Sequence, residues 1–195
     1  FSKQPLLTAL NHNAFSSPKV EVIHADAFIW LREQRAQNRQ FDFIVVDFPD
    51  PGNFSLGKLY TQTFYNELQH VMHDDSIAVI QSTSPYFAPK SFWCVASTLQ
   101  AAGLTTLPYH TYVASFGEWG YVMAAKPQHA AALLADHASY SLPPDLRYFT
   151  ADEMANMQQF AADMKPQEAV VANRLDNQQL VQYFESEWAA VGSNH

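Results

Sequence analysis

The chain has 195 residues, of which 48% are hydrophobic and 15% are charged, so it can bury one sizeable core but does not require two domains. Its net charge of −8 excludes the broad basic face that a nucleic-acid-binding protein needs, and it favours small cationic ligands. The single cysteine, Cys94, excludes an internal disulfide, and no apolar run approaches the roughly 18–20 residues that a membrane-spanning helix requires.

The first part of the chain alternates between helical and strand patterns. Leu6–Phe15 is weakly helical and ends in the turn Ser16–Pro18. Val20–Ala25 alternates and then becomes apolar, which predicts a strand that ends at Asp26. Phe28–Gln37 has the spacing of an amphipathic helix.

The stretch from residue 41 to residue 60, FDFIVVDFPDPGNFSLGKLY, contains the most informative pattern. Phe43–Val46 is apolar and rich in β-branched residues, which predicts a strand buried on both faces, as in a parallel sheet. Asp47 ends this run and Asp50 follows three residues later, in a segment whose prolines and glycine require a loop. Two carboxylates on one short loop suit a cationic substrate, or a base beside a cation anchor. The simpler alternative is turn chemistry, in which the Asp only caps the backbone.

The remainder of the chain continues the alternation and then becomes helical. The predicted strands are Ile77–Gln81, Thr105–Val113 and Gly120–Lys126, and the predicted helices are Tyr60–Met72, Ser91–Ala102, Ala130–Ala135, Asp152–Met164 and Asp176–Trp188. His73–Asp75 and Gly103 end the first two helices, and Ser141–Pro144 breaks the chain further on. The short loop Ala114–Trp119 predicts an antiparallel hairpin at one edge. The fold class is therefore α/β, and residues 128–195 form a helical extension packed on a single domain.

Polar side chains end several of the predicted strands. They are Asp26, Asp47 with Asp50, Gln81 with the loop that follows it, and Glu118 in the SFGEW loop. Parallel strands place their C-terminal ends on one side of a sheet, so these groups are expected to converge. Aromatic residues are interleaved with them, namely Phe48, Tyr86, Phe87, Tyr112, Phe116 and Trp119. Carboxylates with aromatic walls form a site for an organic cation.

Some of the aromatic residues have the simpler interpretation of core residues. Phe87 and Phe92 fit the core, whereas Tyr112 and Trp119 fit the site and the core equally, because a buried Tyr or Trp needs a polar partner. The eight histidines show no metal-ligand spacing, and the sequence contains no CxxC, HExxH or glycine-rich phosphate loop. No metal site is predicted.

These residues resemble a known family. Asp47-Phe-Pro-Asp50-Pro, followed by LGKLYTQTFYNEL, is similar to the D-x-x-D-P loop and helix of the polyamine aminopropyltransferases, the spermidine synthases. QSTSPYFAPKSFWCV, PYHTYVASFGEWGYVMA and NRLDNQQLVQYFESEW resemble later stretches of the family, in order and over nearly the whole chain. They look most like the subgroup with an N-terminal membrane region. The resemblance implies a Rossmann-like, methyltransferase-type sheet with C-terminal helices.

The resemblance also implies roles for individual residues. Asp47 matches the base that accepts a proton from the attacking amine, and Asp50 matches a residue that holds the diamine. Asp26 matches the aspartate that hydrogen-bonds the adenine amino group, next to Ala27, where the family commonly has Gly. Tyr112 matches a tyrosine of the amine site. The complete set of expected substrate-binding residues is Asp50, Gln81, Tyr86, Tyr112, Glu118 and Trp119.

Other parts of the family's fold are expected upstream of Phe1. They are the glycine-rich nucleotide loop, the acidic residue that holds the ribose, the N-terminal β domain and two central strands of the sheet. The chain thus resembles a C-terminal portion of the enzyme, with a partial sheet. The resemblance implies decarboxylated S-adenosylmethionine as a co-substrate and no permanently bound cofactor, putrescine as the diamine, and a homodimer. It also implies a cytoplasmic domain, attached to the inner membrane only through upstream segments.

Two other functions fit the same pattern. A methyltransferase that uses S-adenosylmethionine itself would share the sheet, since a fold does not fix a function. Such an enzyme would have to accommodate the carboxylate of its substrate, which an acidic pocket repels. A non-catalytic polyamine-binding domain would keep the shape of the site and bind a diamine without making a product.

Overall fold

The computed structural model describes residues 4–133, 142–166 and 168–192. Its strands are β1 (Phe41–Val46), β2 (Met72–Gln81), β3 (Thr105–Val113) and β4 (Gly117–Ala125). Its helices are α1 (Pro5–Leu10), α2 (Ala27–Ala36), α3 (Phe54–Gly57), α4 (Gln62–His70), α5 (Pro89–Ala101), α6 (Ala130–Leu133), α7 (Ala151–Asn156) and α8 (Gln179–Gly192). Short 3₁₀ helices cover Ala14–Ser16, Lys58–Tyr60, Pro127–His129 and Ala162–Met164.

The four strands form one mixed sheet in the order β1-β2-β4-β3. β1 and β2 are parallel, as expected for strands joined through a helix, whereas β4 is antiparallel to both of its neighbours. The predicted α/β class and the predicted hairpin at one edge are confirmed. The pairing places the C-terminal end of β1 beside the C-terminal end of β2 and the start of β4, which creates the edge where the acidic loop lies.

One face of the sheet is buried and the other is partly open. The buried face presents Val46, Ala78, Ile80 and Val122 to a core that α2, α4 and α5 complete. On the opposite face Phe43 and Val45 are 61% and 63% exposed. The prediction that Phe43–Val46 is buried on both faces is therefore wrong, because no helix or strand among the described residues covers the outer side of β1.

The predicted strand Val20–Ala25 is wrong, because the segment is extended but belongs to no sheet. Val20, Val22 and Ile23 are between 42% and 46% exposed. A strand needs a neighbour that takes up its backbone hydrogen bonds, and none of the described strands lies beside this segment. The alternation of polar and apolar residues therefore identified an extended backbone but could not show whether a neighbouring strand pairs with it.

Two predicted boundaries around the sheet also move. The helix predicted to run to Met72 ends at His70, because β2 begins at Met72 and pairs there with Phe41. The polar residues that follow belong to the strand, where the Ser76 hydroxyl accepts from the His73 N–H and donates to the Phe41 carbonyl. The hairpin loop is shorter than predicted, since Gly117 adopts a φ of 77° and starts β4 three residues early.

The last part of the chain crosses the free edge of β3 and packs on α5. The predicted helix Asp152–Met164 is interrupted after Asn156, because the Met157 carbonyl accepts from the His110 N–H of β3. The Glu187 carboxylate of α8 accepts hydrogen bonds from the first N–H groups of α5, a helix whose N-cap residue supplies no side-chain cap. The start of α8 moves from the predicted Asp176 to Gln179.

The other helix predictions agree with the structure within a few residues. Phe28–Gln37 and Ser91–Ala102 are confirmed as α2 and α5, and Gly103 ends α5 with a φ of 85°. Leu6–Phe15 is divided between α1 and a 3₁₀ helix. The end of the predicted helix Ala130–Ala135, together with Ser141, lies outside the described residues. Within the described ranges, no helix combines the length and the apolarity needed to cross a membrane.

Candidate active site

The acidic loop begins where β1 ends. Asp47 is exposed, and Asp50 is half-buried next to the buried Pro51. The loop is compact because the Gly52 N–H donates to the Asp50 carbonyl, and it ends where the Asn53 side chain caps α3. The sequence thus places one carboxylate in water and the other against protein, three residues apart.

Asp50 is held by two side chains from the end of β2. The Gln81 Nε2 donates to Oδ1 of Asp50 at 3.1 Å, and the Thr83 hydroxyl donates to Oδ2 at 3.5 Å. Burial raises the pKa of Asp50 above its ordinary value of 3.8, and these hydrogen bonds offset part of the increase. No basic side chain among the described residues forms an ion pair with this half-buried carboxylate, so any cation that reaches it stabilises its charge.

Tyr60 supports the loop from the core side. Its side chain is buried, and its hydroxyl lies 3.1 Å from the Phe48 carbonyl, 3.2 Å from the Pro49 carbonyl and 3.3 Å from Oε1 of Gln81. Burial raises the pKa of this hydroxyl well above its ordinary value, and the nearby Asp50 and Asp47 add to the effect. The hydroxyl therefore keeps its proton and acts as a donor.

Two stacked tyrosines lie on the partly open face of the sheet, in register with Gln81. Tyr121 of β4 pairs with Gln81 of β2 on one side and with Tyr109 of β3 on the other. The two tyrosine rings stack with centroids 5.4 Å apart. Burial raises the pKa of Tyr121, and the negative charge of Asp47 raises it further. The Asp47 carboxylate and the Tyr121 hydroxyl therefore interact electrostatically, at the end of the sheet where Gln81 lies.

The loop that follows Gln81 is locked to β4. Thr83 has a φ of 59°, which is a strained conformation for a β-branched residue, and its carbonyl accepts from the Gly120 N–H at 2.6 Å. A Cβ on Gly120 would lie 2.5 Å from the Phe92 ring, so only glycine allows this approach. The Ser84 hydroxyl donates to the Glu118 carbonyl at 2.6 Å.

The structure directs Glu118 away from the aspartates. Successive side chains of a strand point to opposite faces, so Glu118 and its register partner Tyr112 lie on the face opposite to Trp119 and Tyr121. The Glu118 carboxylate lies 2.8 Å from Nδ1 of His110, whose other ring nitrogen lies 2.8 Å from the Gln159 carbonyl. Among the described residues, this carboxylate forms no hydrogen bond or ion pair with the acidic loop.

The remaining predicted aromatics are spread around the edge of the site. Trp119 is buried and packs on Phe116 with ring centroids 5.1 Å apart, whereas Tyr112 is 65% exposed. Tyr86 is about half exposed and contacts Phe87 edge-on. Within the described part of the chain, Trp119, Tyr112 and Tyr86 make no hydrogen bond to either aspartate, so their roles toward a substrate stay predictions.

Asp26 and Ala27 lie at the start of α2. Oδ1 of Asp26 accepts from the N–H groups of Phe28 and Ile29, and Oδ2 lies 2.9 Å from Nζ of Lys58. The hydrogen bond from Lys58 and those from the backbone lower the pKa of Asp26. The N-cap residue thus has a structural function, and the predicted contact of Asp26 with adenine stays a prediction.

Sequence reasoning missed three residues that contact the acidic loop or a predicted site residue, namely Tyr60, His110 and Tyr121. Thr83 lies in the predicted loop after Gln81, but its contact with Asp50 was not expected. A signal existed for Tyr121, since alternation along β4 places it on the same face as Trp119. No local pattern indicated the others, because their partners lie in other elements. Within the described ranges, no group of three or more His, Cys, Asp or Glu could hold a metal ion.

Two carboxylates in different environments can divide the work of amine chemistry. The exposed Asp47 is accessible to solvent and substrate, whereas the half-buried Asp50 has a fixed orientation and favours a bound cation. Tyr121, whose pKa the charge of Asp47 raises, presents a ring that attracts organic cations. The arrangement therefore suits the binding and deprotonation of an ammonium group.

Comparison with known sequences identifies relatives over almost the whole chain. Residues 1–135 match the spermine/spermidine synthase domain. Polyamine aminopropyltransferase 2 of Ralstonia nicotianae is 49% identical over 98% of this chain and 36% of the relative. The polyamine aminopropyltransferase of Leptospira interrogans is 45% identical over 96% of this chain and 36% of the relative. The chain thus spans about a third of the length of these curated relatives.

Comparison with solved structures agrees on the fold. A spermidine synthase in complex with the transition-state analogue AdoDATO superimposes with a TM-score of 0.63 and 17% identity, over 81% of this chain and 56% of that one. The spermidine synthase from Thermotoga maritima gives a TM-score of 0.61, also at 17% identity, over 81% of this chain and 55% of that one. The family model covers well over half of the chain. The chain belongs to the spermine/spermidine synthase family.

Proposed function

We propose that the protein containing this chain transfers an aminopropyl group from decarboxylated S-adenosylmethionine to a diamine, with putrescine as the acceptor. The observation that carries the proposal is the pair Asp47 and Asp50, of which the second is half-buried and held by Gln81. Family membership and the relatives named polyamine aminopropyltransferases support the reaction class. The net charge of −8 favours a polycationic acceptor.

The chemistry requires removal of a proton from the attacking amine. An alkylammonium has a pKa of about 10, by analogy with lysine, so it arrives protonated and cannot act as a nucleophile. In the proposed mechanism the Asp47 carboxylate accepts this proton as the nitrogen attacks the carbon next to the sulfonium. The new C–N bond forms while the C–S bond of the sulfonium breaks. The electron pair of the C–S bond stays on sulfur, and methylthioadenosine leaves.

Asp50 is assigned to orientation of the acceptor. Its position, fixed by Gln81 and Thr83, suits an ion pair with an ammonium group of the diamine. Gln81 and the aromatic residues Tyr86, Tyr112 and Trp119 are assigned to the walls of the amine site, as the resemblance implies. The predicted contact of Glu118 with the diamine is left out of this proposal, because its carboxylate lies 2.8 Å from Nδ1 of His110 on the opposite face of β4.

The nucleotide site is assigned largely to parts of the protein that this chain does not span. The relatives are almost three times as long as the matched region, and the outer edge of β1 has no neighbour among the described strands. We propose that a glycine-rich loop and a ribose-binding acidic residue are supplied there, and that Asp26 and Ala27 contribute to the adenine pocket. The chain itself is proposed to be one domain portion, with residues 128–195 as its extension.

The test is product formation by the whole protein. We expect decarboxylated S-adenosylmethionine and putrescine to yield spermidine and methylthioadenosine, detected by mass spectrometry. If the protein binds S-adenosylmethionine more tightly than its decarboxylated form and makes no spermidine, it is a methyltransferase candidate instead. Saturable putrescine binding without a product, at saturating decarboxylated nucleotide, would identify a polyamine-binding domain and contradict the proposed reaction.

Diamine affinity is expected to fall in acid, and to fall at a higher pH when Gln81 is replaced by leucine. Burial already raises the pKa of Asp50, and loss of the Gln81 hydrogen bond removes a contribution that lowers it. The protonated form no longer forms an ion pair with an ammonium group.

A raised carboxyl pKa favours the folded protein at low pH, and this contribution to stability is lost as the pH rises through the raised value.

The measurement for Gln81→Leu is the dissociation constant of putrescine between pH 4 and pH 8 by calorimetry. Thr83→Val is the graded comparison, because it removes the longer hydrogen bond to Asp50 and keeps a β-branched side chain at the strained position. We expect a smaller shift of the acid limb for Thr83→Val. An acid limb at the same pH in all three proteins would contradict the role of Asp50 as the cation anchor.

The resemblance also supports a homodimer and a cytoplasmic domain that other segments attach to the inner membrane, and we propose both. These properties belong to the whole protein, of which this chain spans about a third judging by its relatives. Light scattering of the purified protein and fractionation of cells test the two proposals directly. A monomer in solution, or a protein found entirely in the supernatant, would contradict the respective proposal.

A further inference from the structure

We propose that Tyr60 is a positioning residue of the acidic site, whose buried hydroxyl fixes the loop between Asp47 and Asp50 and orients the side chain that holds Asp50. The inference rests on the proposed function for its catalytic consequence, but its structural part is independent. It concerns a residue that touches neither aspartate through a hydrogen bond.

The first support is the position of the hydroxyl. It lies within 3.2 Å of the carbonyls of Phe48 and Pro49, the two residues that directly follow Asp47. The Phe48 ring also packs edge-on against the Tyr60 ring, with centroids 6.2 Å apart. The backbone between the aspartates is thus attached to the core by one hydroxyl donor and one aromatic contact, and neither contact uses a carboxylate oxygen of the aspartates.

The second support is a relay through Gln81. The Nε2 group of Gln81 donates to Asp50, since the reverse orientation would place an amide oxygen against a carboxylate. The remaining oxygen, Oε1, then faces the Tyr60 hydroxyl at 3.3 Å. The single hydroxyl proton of Tyr60 is shared among these three acceptors, the two loop carbonyls and Oε1, and its donation to Oε1 stabilises the amide orientation that supplies Asp50 with a donor.

The third support is that Tyr60 itself has a rigid base. The Asn173 side chain, from the C-terminal segment, donates to the carbonyls of Gly57 and Tyr60 at 3.1 and 3.2 Å. The Asn173 carbonyl accepts from the N–H of Gln62, so the turn that carries Tyr60 is bound on both sides. A hydroxyl on such a base can fix a loop, whereas one on a mobile turn would move with it.

The chain offers a matched control in Tyr65. This tyrosine is also fully buried in the same core, but its hydroxyl has no hydrogen-bond partner among the described residues. Tyr65→Phe and Tyr60→Phe remove the same atom from similar surroundings. A difference between the two variants therefore reports the contacts of the hydroxyl and not the loss of a buried oxygen as such.

The experiment compares the whole protein with its Tyr60→Phe and Tyr65→Phe variants in loop exchange, turnover, and affinity for nucleotide and putrescine. Hydrogen–deuterium exchange of peptides covering residues 47–57 is expected to be about tenfold faster in Tyr60→Phe and unchanged in Tyr65→Phe. The rate of aminopropyl transfer at saturating substrates is expected to fall about 10- to 100-fold in Tyr60→Phe only, because small displacements of reacting groups are costly. Nucleotide affinity is expected to stay the same in both.

The outcomes separate this inference from the proposed function. If the parent makes no transfer product, the proposed function fails, and the comparison of loop exchange and putrescine affinity still decides the role of Tyr60. Faster loop exchange and weaker putrescine binding in Tyr60→Phe alone would then support it. Equal exchange in the two variants, or faster exchange without any change in turnover or putrescine affinity, would overturn it.

Discussion

Replacing Asp47 with asparagine in the whole protein is expected to lower turnover by about 10²- to 10⁴-fold, the usual contribution of a general base. Asparagine has the same shape but cannot accept the proton that the ammonium group must lose for its nitrogen to attack. Because the Asp47 side chain is exposed and forms no hydrogen bond with the described residues, the substitution is expected to leave the stability of the fold unchanged. The measurement is the initial rate of methylthioadenosine release at saturating putrescine.

Two control variants make this result specific. Asp42→Asn removes a carboxylate from the other end of β1, where the side chain is fully exposed and distant along the strand, and is expected to leave turnover unchanged. Asp50→Asn is expected to raise the KM for putrescine more than it lowers kcat, because Asp50 is assigned to binding. Near-normal turnover of Asp47→Asn at neutral pH would contradict its assignment as the base.

The acidic loop could be predicted from the sequence because its signals are local. Two prolines, a glycine and two aspartates after an apolar run define the end of a strand within a dozen residues. The hairpin of β3 and β4 was predictable for the same reason. Strand ends that converge at one edge follow from topology, so the proximity of Asp50 and Gln81 was a legitimate expectation, and the structure brings them within 3.1 Å.

The parts that could not be predicted depend on residues far apart in the sequence. Val20–Ala25 has the composition of a strand, but whether a strand forms is decided by a neighbour, which no local pattern contains. Glu118 was predicted to lie in a loop and to point toward the same sheet edge as the aspartates. In the structure β4 starts at Gly117, so Glu118 is a strand residue, and the alternation of side chains along β4 directs it toward His110. Register is set by pairing, and a shift of one residue reverses a side chain.

Tyr60 shows a further limit of local reasoning. The sequence places it only 13 residues after Asp47, within the stretch that carries the loop, but it reads as an ordinary aromatic at the start of a helix. Its role depends on the position of its hydroxyl, which lies next to the carbonyls of Phe48 and Pro49, 12 and 11 residues earlier, and next to the Gln81 side chain. Only the folded arrangement, in which the turn is held by Asn173, gives that hydroxyl a fixed position.

Asn173→Ala is expected to destabilise the protein far more than the substitutions in the acidic loop. The fully buried side chain donates to the carbonyls of Gly57 and Tyr60 and accepts from the N–H of Leu180. Alanine leaves these three backbone groups without their side-chain partner in the core, at about 1–3 kcal/mol each where no other partner replaces it. We therefore expect a loss on the order of 3–5 kcal/mol, and a thermal midpoint lowered by about 6–20 °C.

The effect of Asn173→Ala is expected to reach the acidic loop, because Asn173 fixes the turn that carries Tyr60. Below the lowered midpoint, the variant is expected to show faster exchange in residues 47–57 as well as in α8. Asn66→Ala, on the exposed side of α4, is the matched control and is expected to change the midpoint by less than about 1 °C. If Asn173→Ala unfolds at the parental temperature, its hydrogen bonds do not stabilise this junction, and the rigid base inferred for Tyr60 does not exist.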